Sequence, residues 1–196
     1  MHATFEPPPS RVRFTRKQCE TMENAGILSG RYELIDGEVI AKMPINPPHR
    51  QVLIYLHTWL VSLFGALFVQ TQSDIEVDDA DPDHYSPQPD VAVTTQPTSA
   101  YTSQNPGPRD LTLVAEISDS SLRFDRTIKA NYYALLGIPE YWVVDIAGRE
   151  VIVHRQPSPA GYAVTSVHGE DERIATLARP GEAVVVSDIL PAQPVA

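Results

Sequence analysis

The stretch LTLVAEISDSSLRFDRTIKANYYALLGIPEYWVVD, residues 111–145, decides the fold. It opens on LTLVAEIS, a mostly apolar run of strand length. DSSLRFDRTIKANYYALLG follows as a helix: Ser120 or Ser121 can cap its start, Gly137 can close it, and Pro139 prevents its continuation. EYWVVD then reads as a second strand, with Tyr141, Trp142, Val143 and Val144 as core candidates.

Working outward, EVIVHR completes a hairpin around Ala147-Gly148, and GYAVTSV is a further run. RIATLARPGEAVVVSDIL and a Pro-containing tail end the chain. Upstream, DVAVT (residues 90–94) is a short apolar strand between two loops, 74–90 and 95–110. The first loop carries Asp79-x-Asp81-x-Asp83, but it lacks the Gly and Glu of a calcium loop and reads as solvated. Val52 to Val69 contains no formal charge, which raises the question of a membrane span. Leu53, Leu56, Leu60, Leu63 and Leu67 recur at helical spacing, and His57, Thr58 and Ser62 interrupt the run. A buried helix over 48–64 followed by a strand in ALFVQTQ is the simpler reading. RYELIDGEVIAKM (31–43) is a hairpin turning at Asp36-Gly37, and residues 14–28 form a short helix. The expected organisation is a leader and short helix over 1–30, one domain over 31–190 and a tail over 191–196. Helices and strands mix around a central sheet, which makes the class α/β or α+β.

Composition narrows function. A chain of 196 residues, 42% apolar and 20% charged, builds one core without staples. The net charge is −10, with lysines only at 17, 42 and 129 and 12 arginines. That excludes a general nucleic-acid coating protein with a basic stripe and disfavours anionic membranes. The lone Cys19 permits no internal disulfide and no cysteine metal cluster, which suits a reducing cytosol. The N-terminus has no apolar signal segment, so a cytoplasmic location is expected.

Three residues line up for chemistry: Asp90 at the start of a strand, Glu116 near the end of the next, and Lys129 in the following helix. Two carboxylates on neighbouring strands repel unless a cation lies between them. A hard ion, Mg2+ or Mn2+, accepts such oxygens, and the carbonyl of Ile117 offers another. Lys129 would then present a point charge to a water or a phosphoryl oxygen. Each residue also has an ordinary reading on spacing alone. Asp90 suits a strand start, Glu116 an arginine partner, and Lys129 an exposed pair with Asp125 four residues earlier.

YELIDGEV, PDVAV and the stretch over 111–145 together resemble the Uma family of restriction endonuclease-like proteins, over about residues 31–155. The Glu-x-x-Ser strand, the Asp-x-x-x-Lys-x-x-Tyr-Tyr helix and Gly-Ile-Pro-Glu-Tyr-Trp-Val-Val-Asp are its most specific parts. The resemblance places the chain in the PD-(D/E)xK nuclease superfamily. It implies a restriction-endonuclease-like fold, a mixed sheet flanked by helices, and a magnesium-dependent phosphodiesterase acting on nucleic acid, DNA foremost. Asp90 matches the first acidic ligand and Glu116 the second. Ser118 stands where the lysine is usual, and Lys129 fits the variant that moves it to the next helix. The alternatives are a catalytically weak or inactive binding module on the same fold, and an enzyme that turns these carboxylates on another substrate.

Other residues complete the expectations. His49 reads as a helix-start or core histidine with a hydrogen-bond partner. Glu33 and Glu38 flank the turn at Gly37; either could approach the site from the first hairpin, and an ordinary exposed strand face is the simpler reading. Arg109, Arg123 and Arg126 are expected to rim the site. A two-fold homodimer, the commonest assembly, would let two sites face one duplex.

Overall fold

The computed structural model describes residues 12–42, 44–77 and 84–192. The proline leader, the Asp79-x-Asp81-x-Asp83 loop and the last four residues of the tail lie outside the described residues. The chain divides into two compact units, Met1–Met43 with Val77–Pro87, and Pro44–Glu76 with Gln88–Ala196.

In the first unit α1 (Arg16–Asn24) starts on a reciprocal capping box between Thr15 and Gln18. β1 (Tyr32–Ile35) and β2 (Glu38–Ala41) pair antiparallel. Their turn needs positive φ at both central residues, and Asp36 and Gly37 supply 51° and 74°. A Cβ at Gly37 would fall 2.6 Å from Cβ of Arg13, so glycine is required there on two grounds. Glu33 departs from the exposed reading: it is buried, with Lys42 Nζ 3.8 Å from its carboxylate.

The second unit holds six strands: β3 (Val69–Thr71), β4 (Val91–Thr94), β5 (Leu111–Ser118), β6 (Glu140–Asp145), β7 (Glu150–Ser158) and β8 (Gly161–Gly169). They lie side by side in that order. Every neighbouring pair is antiparallel except β5 with β6, which run parallel. A parallel neighbour needs a crossover, and the helical run over 122–135 provides it. Two short strands, β9 (Arg173–Ile174) and β10 (Val184–Val185), pair separately.

One sheet face is covered by α2 (Pro47–Phe64). Asn46 caps this helix through His49 N–H, prolines fill its first two positions, and Gly65 at φ 90° ends it. Val52, Leu56 and Leu60 recur every fourth residue and pack on Val91, Val93, Leu113, Ala115, Ile117 and Trp142. Trp59 stacks on Trp142 at 5.8 Å. The buried stripe therefore ends at Leu60, and Leu67, past the helix, is exposed. Among the described residues no helix is long and apolar enough to cross a membrane.

The crossover is not one regular helix. α3 (Leu122–Phe124) passes into a π-helical turn over Asp125–Lys129 and then α4 (Ala130–Leu135). Ala130 N–H reaches back five residues to the Asp125 carbonyl. Asp125 and Lys129, the first and last residues of this turn, are both buried. Ser121 occupies the cap position without bonding the backbone there; its hydroxyl goes to Asp125 Oδ2 instead.

On β7, His154 clusters with the rings of Tyr141 and Tyr162, each at 5.5 Å from it, with Nδ1 3.0 Å from Thr165 Oγ1. Burial, reinforced by the charge of Arg126, lowers its pKa from 6.5 to about 4. The unfolded chain binds this proton first, so the neutral ring's contribution is complete above pH 6.5 and is lost as pH falls towards 4. His154→Phe keeps the ring stack and removes the titration. Its unfolding free energy should fall less between neutral pH and the pH of the folded ring than that of the parent chain. Denaturant melts at a series of pH values check this, and identical losses would refute it.

Candidate active site

β4 stops one residue short of Asp90, and this shortness builds the site. The pairing of Val91 with Ala115 brings Asp90, one step on, level with Glu116. Ile117 N–H then meets no strand partner; Asp90 Oδ2 accepts it at 2.9 Å. The same oxygen lies 3.1 Å from His49 Nε2, which donates to the carboxylate in the tautomer that carries its proton there. His49 arrives there because α2 starts beside the end of β5. Asn46 caps α2 with its side-chain oxygen while its amide donates to Asp119 Oδ2 at 2.5 Å.

Glu116 and Lys129 meet directly. Lys129 Nζ is 2.8 Å from Glu116 Oε1, and Tyr133 O–H donates to that oxygen at 2.9 Å. The ammonium is 3.9 Å from Asp125 Oδ1. Asp125 Oδ2 accepts from Ser118 Oγ at 2.6 Å and Ser121 Oγ at 2.5 Å, and its carbonyl accepts from Tyr141 O–H. Asp90, Glu116, Asp125 and Lys129 are each at most 4% exposed. Charges this deep stand only when paired and hydrogen-bonded, and these are.

The structure thus brings Asp90, the Glu116–Ile117 end of β5, and Lys129 together. Glu116 takes a lysine rather than an arginine, and the Lys129–Asp125 pair is buried rather than exposed. Arg109 does not join them. It precedes Leu111, five strand residues before Glu116, about 16 Å along β5. Closeness in sequence to the first residue of a strand is distance from its last. Arg123 and Arg126 are exposed on the segment that carries Asp125 and Lys129, with Arg126 acting on His154.

Sequence reasoning missed three members. His49 is expected at the helix start with a hydrogen-bond partner, but its register with the apolar stripe of α2 does not name Asp90 as that partner. Asp125 sits four residues before Lys129, a spacing that an exposed helix uses just as well. Tyr133 belongs to the Lys-x-x-Tyr-Tyr string, and that string was the available signal.

The oxygen donors suit a hard divalent ion. In an extended residue N–H and C=O point to the same side, so the carbonyl of Ile117 faces the Asp90 edge with its N–H. Two carboxylates and a carbonyl match the partial protein shell that Mg2+ accepts. Among the described residues no three His, Cys, Asp or Glu side chains form a metal cage.

Comparison with known proteins bears on the fold and the family. No curated protein matches the chain. Among solved structures it is similar to a "putative nuclease belonging to DUF820" from Anabaena variabilis ATCC 29413, with a TM-score of 0.62 and 16% identity. The likeness covers 86% of this chain and 96% of that one, and at this identity it shows the fold. The family model Uma2, described as "Putative restriction endonuclease", matches residues 22–186. With that match spanning both the sheet and the acidic end of β5, the chain belongs to the Uma2 family.

Proposed function

We propose that this chain hydrolyses phosphodiester bonds of nucleic acid, DNA foremost, with Asp90, Glu116 and the Ile117 carbonyl holding Mg2+ or Mn2+. The observation that carries the reading is the Asp90, Glu116 and Lys129 cluster at the open edge of β5, in a chain of this family. When bound, the ion would polarise the phosphoryl group and lower the pKa of an attacking water. The rest falls to the chain. His49 and Ile117 N–H orient the Asp90 carboxylate through Oδ2. Tyr133 orients Glu116 through Oε1. Lys129 Nζ, with Asp125 behind it, donates to a non-bridging phosphoryl oxygen as charge builds there. Two copies related by a two-fold axis belong to the same reading.

One observation favours a second reading, a non-catalytic module: Lys129 already neutralises Glu116. The two part on a single comparison. The parent chain should cleave single- or double-stranded DNA with Mg2+ or Mn2+, and Asp90→Ala should lose about 100-fold or more of that rate. Cleavage by Asp90→Ala at the parent rate would overturn the assignment. No cleavage by the parent, with no Mn2+ binding by calorimetry, would establish the module. Substrate binding should weaken steeply with salt, since phosphate contacts release counterions.

A further inference from the structure

The two edges of the six-stranded sheet differ. β3 is three residues long. β8 is nine, GYAVTSVHG, and contains no Asp, Glu, Lys, Arg or Pro. Val164 and Val167 on it are 41% and 47% exposed. Among the described residues, no main-chain group outside β7 hydrogen-bonds the backbone of residues 162–168. An edge that is long, uncharged and open is a template for another strand, and proteins that must avoid this blunt it with lysine, proline or a cover. Among the described residues none of those devices is present on β8. The helix beside it continues the apolar surface. Ile128 and Leu135, seven residues apart on the crossover run, are 49% and 59% exposed, and Gly161 lies next to Asn131 between them.

We propose that β8 pairs antiparallel with β8 of a second copy of this chain, joining the two sheets across a two-fold axis. Charge selects the occupant. At a net charge of −10, two copies repel over most approaches, and β8 is a neutral strip at which they can meet. Symmetry selects the geometry, because an antiparallel pair of identical strands is satisfied by one two-fold operation. The contact is a single strand with flanking side chains, so the dimer belongs to the weaker, concentration-dependent class.

The topology has a consequence for the site. β6 runs with β5 and against β7, and β7 runs against β8, so β8 points the same way as β5. Reversing β8 in the partner reverses its β5 as well. The two acidic strand ends then lie at opposite ends of the joined sheet, and each acts alone rather than facing one duplex with its twin.

Sedimentation over a range of protein concentrations tests the pairing. The parent chain should pass from monomer to dimer, and amides within 162–168 should gain hydrogen-exchange protection as it does. The double variant Val164→Glu, Val167→Glu sets like charges near the axis and should weaken the association by about tenfold or more. Val164→Thr, Val167→Thr should retain it. Both positions are exposed, so neither variant should unfold the chain. A parent that stays monomeric throughout, or a dimer that the glutamates leave intact, overturns the proposal. So does edge protection that appears only when another protein is added. Nuclease rates stand apart from this: an inactive preparation that dimerises through β8 leaves the pairing in place, and a glutamate variant that is monomeric should cleave at the parent rate per chain.

Discussion

Lys129→Met should reduce phosphodiester hydrolysis by about 100- to 1000-fold and destabilise the fold by about 3–5 kcal/mol. The two effects have separate origins. Lys129 is 4% exposed, and Met fills much of its volume, so packing changes little. The stability loss comes from Glu116, which keeps the Tyr133 hydroxyl but loses its ammonium partner in a site 3% exposed. A carboxylate at that depth that loses its ammonium keeps its desolvation cost without the attraction that offset it. The rate loss comes from removing the donor that meets charge as it develops on the phosphoryl oxygen. Adding Glu116→Gln separates the two. Glutamine retains an oxygen for Tyr133 and carries no charge to strand, so the double variant should recover most of the stability and none of the activity. Denaturant melts and cleavage rates on all four chains complete the cycle. Near-parental cleavage by either Lys129 variant would reduce the pair to a structural ion pair, and Lys129 would leave the mechanism.

How far the residues announce all this varies by element. β5 and β6 were legible to the residue, because apolar runs bounded by Pro, Asp and Gly leave little choice of boundary. α2 was legible from its leucines, with its start confirmed by Asn46 and the two prolines. The π-helical turn was not. One extra residue in a helical turn leaves the apolar pattern of FDRTIKANYYALL almost unchanged, and Asp125 and Lys129 are the buried residues of that turn. Of the site, the acidic pair and the lysine could be named because strand order brings their elements together. Their orienting partners could not, since His49 and Tyr133 make bonds that depend on how two elements cross rather than on spacing within either. Arg109 shows the opposite error, in which nearness in sequence stood in for nearness in space.

A second large effect is expected far from the chemistry. Glu140, the first residue of β6, is 0% exposed and was read only as a strand boundary. Its Oε1 accepts Trp142 Nε1–H at 3.0 Å and two Arg155 donors, Nε at 2.9 Å and Nη2 at 2.6 Å. Its Oε2 accepts Leu177 N–H at 2.8 Å. One carboxylate therefore ties β6, β7 and the segment after β9, and Arg155 adds a bond from Nη2 to the Ala175 carbonyl. Glu140→Ala leaves a buried indole N–H, a backbone N–H and half the guanidinium's partners unmet. The expected cost is about 3–5 kcal/mol, a large share of the stability of a single domain. For a chain of this length that corresponds to a fall in Tm of about 10 °C. Arg155→Met alone should also destabilise strongly, because it strands the carboxylate instead. Glu140→Leu with Arg155→Met removes both charges together and should recover part of the loss, as apolar replacement of a buried pair often does. Activity divides this network from the site. Glu140 stands three residues before Val143, the β6 partner of Glu116, about 10 Å back along the strand. Below its lowered Tm, Glu140→Ala should cleave at the parent rate per folded molecule. A variant that melts with the parent would show that Arg155 and Trp142 find other partners at little cost, and the network would lose its structural assignment.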